Sequence, residues 1–208
     1  MIQGSDEWRM AKLFHPSASR INAILAEGKG SEMATAREDY LYELACENIT
    51  GIPYEQFHRI PSWIEDGKEN EALARGTHEA RTGLMVTEHP GKCDGPIPGF
   101  WASPDGLILP NGGLETKCPK TKKHMKTIRT GKIDTAYLYQ MTGNLIVFEA
   151  DWWDFVSFDP ALPDNLCYWS KRFYRKDLPV KLVTDGIIQF MKELDALTED
   201  LKNKEVMG

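Results

Sequence analysis

Apolar positions repeat at helical spacing over much of this chain. Ile21, Ile24 and Leu25 share one helical face after Ser17-Ala18-Ser19, where either serine can act as N-cap; the segment from Trp8 to these serines reads as irregular. Tyr40, Leu41, Leu44 and Ala45 predict a core-facing helix over Thr35–Asn48, acidic on its outer side and ending near Gly51 and Pro53. Ser62 to Thr82 is rich in Ala, Glu and Arg and poor in large apolar residues, which predicts a helix with little burial. On it Glu71 and Arg75, at i and i+4, read as a surface ion pair. Further helices are predicted over Thr121–Thr130 and Ile133–Phe148, the second carrying Tyr137, Gln140, Met141 and Asn144 and weakened by Gly143. An amphipathic helix, Thr184–Lys202, closes the pattern with Ile187, Met191, Leu194, Leu197 and Leu201 in one stripe.

Elsewhere the period is two. Trp152–Phe158 alternates as a strand, and Val86–Cys93 and Arg172–Tyr174 are strand candidates. Phe100–Ala102 with Leu107–Leu109 on one side, and Leu114–Cys118 on the other, flank Pro110-Asn111-Gly112-Gly113, whose residue types tolerate the positive φ of tight turns. This predicts a β-hairpin. Helices on either side of a central mixed sheet make an α/β fold, expected as one domain over 1–208.

The hairpin carries the chemistry. Alternation puts Glu115 and Lys117 on one side of their strand and Leu114 and Thr116 on the other, while the turn folds Asp105 back toward the pair. Phosphodiester hydrolysis without a redox cofactor needs an oxygen-ligated divalent metal, an activated water and stabilisation of the leaving oxyanion. Asp105 and Glu115 offer carboxylates, and the Thr116 carbonyl between the paired residues offers a backbone oxygen, a donor set suited to Mg²⁺. Lys117 can orient the attacking water, lower its pKa or hold a phosphate oxygen; the pattern does not choose. A Glu-x-Lys alone on a strand is more often an ion pair on a sheet face. It becomes informative because Pro104-Asp105 precedes it across the hairpin and a basic run follows it directly.

Composition narrows the classes. No apolar run reaches the roughly 18–20 residues of a membrane span, and Met1–Glu7 lacks a basic start and an apolar core, so a cytoplasmic location is expected. Cys46, Cys93, Cys118 and Cys167 form no CxxC pair and are expected to be reduced; HExxH, Walker A and GxGxxG are absent. A net charge of −6 argues against a nucleic-acid partner until its distribution is considered. Lys117 to Lys132 holds seven cations and no acid, leaving −13 on the remainder. A second cluster, Lys171, Arg172, Arg175 and Lys176, is interleaved with Trp169, Phe173 and Tyr174. Either run alone reads as a solvated face; basic strips on an acidic body suit a polyanion held at one place.

Pro104-Asp105, ten residues before Glu115-Thr116-Lys117, resembles the PD-(D/E)XK nuclease signature. Ser103-Pro104-Asp105-Gly106-Leu107 with Leu114-Glu115-Thr116-Lys117-Cys118-Pro119 is similar to the phage lambda exonuclease type, also called YqaJ-like. Trp8 followed by Ser17-Ala18-Ser19, Gly67-Lys68 with Glu71, Ala74 and Arg75, and Ala136-Tyr137 with Gln140 match further segments of that family in the same order. The resemblance implies a restriction-endonuclease-like core. It implies an exonuclease that digests the 5′-ended strand of duplex DNA and leaves a 3′ single strand. It also implies two Mg²⁺ ions, for which Mn²⁺ can substitute, a homotrimeric ring, a single-strand annealing partner and a phage or prophage origin in a bacterial host.

By position, the resemblance makes Asp105, Glu115 and the Thr116 carbonyl metal ligands and Lys117 the catalytic lysine. Glu71 becomes an active-site acid acting through water on the second metal, and Gln140 and Tyr137 line the site. Trp8, Lys12, Ser17 and Ser19 fall to the DNA end and its 5′ phosphate, and Ile64 to splitting the terminal base pair. Lys12 stands where the family often has arginine, and loses the bidentate fork. Cys118 reads as a small strand-end residue, since no histidine is positioned by sequence as its base. Two alternatives stay open: an endonuclease on the same core, and a non-catalytic DNA-binding module gripping a strand near Trp169–Lys176.

Overall fold

A computed structural model describes residues 1–28, 33–57 and 64–204, the side chains of residues 57 and 64–69 excepted. Five strands form one mixed sheet in sequence order: β1 (Val86–Thr87), β2 (Gly106–Ile108), β3 (Gly112–Lys117), β4 (Trp152–Phe158) and β5 (Tyr168–Tyr174). All neighbours are antiparallel except β3 and β4, which run parallel from Gly112↔Trp152 to Lys117↔Ser157. A parallel pair needs a long crossover, and the chain makes it through α5 (Thr121–Thr130) and α6 (Thr135–Val147). The remaining helices are α1 (Asp6–Lys12), α2 (Ile21–Ile24), α3 (Thr35–Thr50), α4 (Ile64–Thr82) and α7 (Val180–Asn203). Among the described residues no helix is long and apolar enough to cross a membrane.

β4 is covered on both faces, every residue after Trp152 being buried. Trp153 and Phe155 pack with Met141 and Leu145 of α6 on one side. On the other, Val156 and Phe158 meet Ala74 of α4. A third cluster joins α2, α3 and α7 through Ile21, Ile24, Leu41, Leu44, Ile187 and Phe190. It fixes the N-terminal segment against α6, where a Cβ on Gly143 would come within 2.4 Å of Ile21 Cδ1. The glycine that weakens α6 locally is therefore what lets the two segments approach.

Several elements differ from the sequence reading. The segment expected to be irregular contains α1: Ser5 Oγ accepts the Trp8 N–H and Asp6 and Glu7 occupy the first turn, both favourable at a helix N-terminus. The hairpin forms, but Gly112 and Gly113 lie within β3 and have no positive φ. Their role is space, since a Cβ would sit 2.2 Å from the Trp152 ring at Gly112 and 2.3 Å from the Trp153 ring at Gly113. Phe100–Ala102 is not part of the hairpin; the Trp101 N–H donates to Pro16 O, and the Trp101 carbonyl accepts from Ala18. Of Val86–Cys93 only Val86–Thr87 is strand. α4 is more deeply set than its composition implied, because the small Ala74 and the polar His78 are both buried against the sheet. Arg75 pairs with Glu88 across to the chain after β1.

Candidate active site

The C-terminal end of β3 collects the polar residues. Glu115 and Lys117 emerge on the same side of the strand, with Lys117 Nζ 2.5 Å from Glu115 Oε1. Glu115 is fully buried, and its other oxygen accepts from Asn144 Nδ2 at 3.2 Å, across from α6. Lys117 Nζ also lies 5.5 Å from the centre of the Tyr137 ring, one turn or more earlier on α6. Tyr137, Gln140 and Asn144 follow i, i+3, i+7 spacing and so form one stripe along α6, with half-buried Gln140 between the contacts to Lys117 and Glu115.

Asp105 stands one position beyond the last β2–β3 pair, Gly106↔Leu114, and so faces Glu115 across the ladder. Its Oδ2 accepts both the Thr116 N–H at 2.6 Å and the Thr116 hydroxyl at 2.9 Å, which locks the carboxylate against β3. Glu71 reaches the same region from α4, half-buried, and its charge acts on Glu115, Lys117 and Cys118.

The charges are strongly coupled. Burial pushes the Glu115 carboxyl up to about 8, with Asp105 and Glu71 adding to the shift and Lys117 opposing it. Burial alone would lower Lys117, but Glu115, Asp105 and Glu71 together hold its ammonium above the ordinary lysine range. Burial, Glu71 and Asp105 push the Cys118 thiol up to about 11, which makes it a poor nucleophile, as the sequence implied.

Among the described residues no three His, Cys, Asp or Glu side chains form a ready cage for a metal. The donors nevertheless fit a hard divalent cation: they are all oxygens, and the negative charge that helps raise Glu115 is what such a cation relieves. Asp105 and Glu115 supply the carboxylates, with water completing the shell. The Thr116 carbonyl belongs to the strand residue between Glu115 and Lys117.

Two adjoining depressions lead away from these acids. A trough of about 660 Å³ is lined by Glu71, Pro104 and Asp105 together with Trp8 and Arg9. Trp8 is fixed there by donating its indole N–H to Pro90 O at 2.6 Å. Beyond Trp8 and Arg9 lies a smaller pocket of about 220 Å³, walled by Lys12, Ser19, Arg20 and Glu47 among others. Burial holds the Lys12 ammonium below its usual range, against the pull of Glu55 and Glu47. Lys12 has no ion pair within the described residues; its Nζ lies 5.1 Å from the centre of the Trp8 ring. Ser17 is buried and does not line this pocket: its N–H donates to Tyr40 OH, and its hydroxyl lies 3.3 Å from that of Ser19.

Other expectations resolve differently. Ile64 begins α4, and its side chain lies outside the described residues. In the second basic cluster the two arginines make internal contacts, Arg175 donating to Ala150 O at 3.2 Å, while Lys171 and Lys176 are exposed. Arg172 holds Asp154 by two hydrogen bonds of 2.8 and 2.7 Å, Phe173 is buried, and Trp169 meets Phe155 edge-on. Asn144 escaped the sequence reading as a site residue. Its signal was a lone amide in the run Met141–Val147, one turn after Gln140.

A family model described as the YqaJ-like viral recombinase domain matches residues 7–151. The chain is 36% identical to the alkaline exonuclease LHK-Exo from Laribacter hongkongensis over 95% of this chain and 96% of that one, with a TM-score of 0.84. A structure of LHK-Exo in complex with dAMP matches over the same shares at 36% identity and a TM-score of 0.85. A phage-related exonuclease from Haemophilus somnus 129PT shares the fold at 15% identity and a TM-score of 0.65, over 91% of this chain and 97% of that chain. No curated protein sequence matches the chain at a significant level.

Proposed function

The chain belongs to the YqaJ-like viral recombinase family, and from that premise we propose that it is a Mg²⁺-dependent exonuclease that digests the 5′-ended strand of duplex DNA. The observation that carries this reading is the convergence of Asp105, Glu115 and Lys117 at the end of β3, with the charge of Glu71 acting on the same groups. Similarity to an alkaline exonuclease over nearly the whole chain supports the nuclease chemistry.

Asp105 and Glu115 would hold the metal, with Glu71 acting through water; Mn²⁺ has the same preference for oxygen donors. When bound, such an ion lowers the pKa of a water and neutralises charge on the scissile phosphate. The protein's own contribution is placement. Thr116 fixes the Asp105 carboxylate through two hydrogen bonds, and Asn144 fixes the orientation of Glu115. Lys117, with its Nζ 2.5 Å from Glu115 Oε1, is placed to orient the attacking water and to steady phosphate oxygens.

The trough that Asp105 and Trp8 both line and the pocket at Lys12 and Ser19 support the proposed polarity. A terminal 5′ phosphate in the smaller pocket leaves the strand to run past Trp8 toward the acids, with Tyr137 beside Lys117. Digestion then leaves a 3′ single strand, the substrate of a strand-annealing partner. The protein is proposed to work as a three-copy ring around the DNA and to come from a phage or prophage, a reading supported by the family likeness.

The test uses linear duplexes labelled at either the 5′ or the 3′ end, incubated with Mg²⁺ or with EDTA. The reading expects early release of the 5′ label as a mononucleotide, in Mg²⁺ only. Early release of the 3′ label, or cutting of a covalently closed circle, contradicts it.

A further inference from the structure

We infer that Lys122, Lys126 and Arg129 form a track for the phosphate backbone of duplex DNA, outside the catalytic site. The inference deepens the nuclease reading by naming where the uncut duplex is held. The three residues follow i, i+4, i+7 spacing on α5, and all are exposed. The opposite side of the helix is the packed one: His124 is buried, with Nδ1 2.7 Å from Ser157 Oγ and Nε2 2.7 Å from Leu166 O, and Thr127 is buried beside it.

The stripe is not used internally. Lys123 is engaged by Asp134 and Tyr137 OH, each at 3.1 Å, but Lys122, Lys126 and Arg129 have no ion-pair partner among the described residues. Many basic side chains elsewhere are paired: Arg9 with Asp6, Arg20 with Glu43, Arg37 with Glu193, Arg172 with Asp154.

The helix is also built against its own electrostatics. It begins at Lys120, whose side chain provides no cap, and its first turn holds Lys122 and Lys123 with no acid, where the macrodipole favours negative charge. Lys122 and Lys126 repel each other along one face. An external polyanion removes both penalties.

Its placement ties it to the site. α5 starts four residues after Lys117, and Tyr137 stands between the two, 5.5 Å from Lys117 Nζ and 4.6 Å from Lys123 Nζ at its ring centre. Seven residues of helix rise about 10 Å, which matches about three phosphates of one strand at 3.4 Å per step along the duplex axis. The helix carries no Phe, Tyr or Trp on which unpaired bases could stack, so the occupant is duplex rather than single strand.

The test is equilibrium binding of the full chain to a labelled blunt duplex in EDTA, across a salt series, which requires no cleavage. The triple variant Lys122→Gln, Lys126→Gln, Arg129→Gln is compared with the parent and with a charge-matched control on exposed positions of α7, Lys181→Gln, Lys192→Gln, Lys202→Gln. The expected result is a fall of about 2–3 in the slope of log affinity against log salt for the stripe variant, near 0.9 per phosphate contact. The three single variants, which guard against a folding defect, each give about one third of it. A slope no different from that of the control, or an effect seen only on single-stranded DNA, overturns the proposal. A parent that binds duplex with this salt dependence but never cuts it sinks the exonuclease reading and leaves the track standing.

Discussion

Asn144 Nδ2 donates to Glu115 Oε2 at 3.2 Å, joining α6 to the end of β3 inside the core. With Lys117 Nζ at the other oxygen, Asn144 sets the orientation of that carboxylate. Asn144→Leu is expected to raise the Mg²⁺ concentration needed for half-maximal cleavage and to lower the rate by roughly 10–100-fold, the usual cost of losing a group that orients a metal ligand. A metal titration checks this. An unchanged requirement removes Asn144 from the site.

The pocket at Lys12 governs which ends are taken. Lys12→Ala should leave cleavage of a duplex already engaged intact while reducing the preference for 5′-phosphate over 5′-hydroxyl ends by roughly 10–100-fold. That corresponds to one charge-assisted hydrogen bond of about 1.5–3 kcal/mol. Initial rates on the two substrates give the ratio, and a parent-like ratio contradicts the assignment.

Asp154 links the faces of the fold to pH. Burial would raise its carboxyl, but hydrogen bonds from Arg172 and His78 hold it below the ordinary value of 3.8. A depressed carboxylate contributes stability that is present above 3.8 and lost as pH falls through the still lower folded value. Arg172→Met should therefore cost about 2 kcal/mol at pH 7, a fall of roughly 4–8 °C in Tm for a chain of this size. The gap should close under strongly acidic conditions. A gap of the same size at pH 7 and at pH 3 would refute the linkage.

Gly113 tests the close contact between β3 and β4. Gly113→Ala places a Cβ against the buried ring of Trp153 and is expected to cost about 1–3 kcal/mol, read as a lowered Tm. Trp153→Phe in the same chain should recover part of the loss, since the colliding atoms belong to the outer ring. Additive losses in the double variant argue against the contact.

The parts of this protein that follow from local pattern were legible in its sequence. β4 alternates, α3 and α7 carry apolar stripes, and β3 with its turn brings Asp105 back toward Glu115 and Lys117. What pattern could not supply depends on tertiary approach. Glycine at 112 and 113 reads as turn chemistry until two tryptophans from a distant strand are seen to lie over it. Arg172 reads as a solvent cation until Asp154 is found beside it across the β4–β5 ladder. α1 was legible in principle, since Ser5, Asp6 and Glu7 are a helix start, but its lack of an apolar stripe concealed it.

The central claim is that Asp105, Glu115 and Lys117 act as one metal-assisted centre. Its most direct measurement is nucleotide release from a linear duplex in Mg²⁺ by the parent and by Asp105→Asn, Glu115→Gln and Lys117→Met, each with its Tm recorded. Each single change should reduce release by at least roughly a thousandfold in a folded protein. Parent-like release by any folded variant of the three contradicts the account.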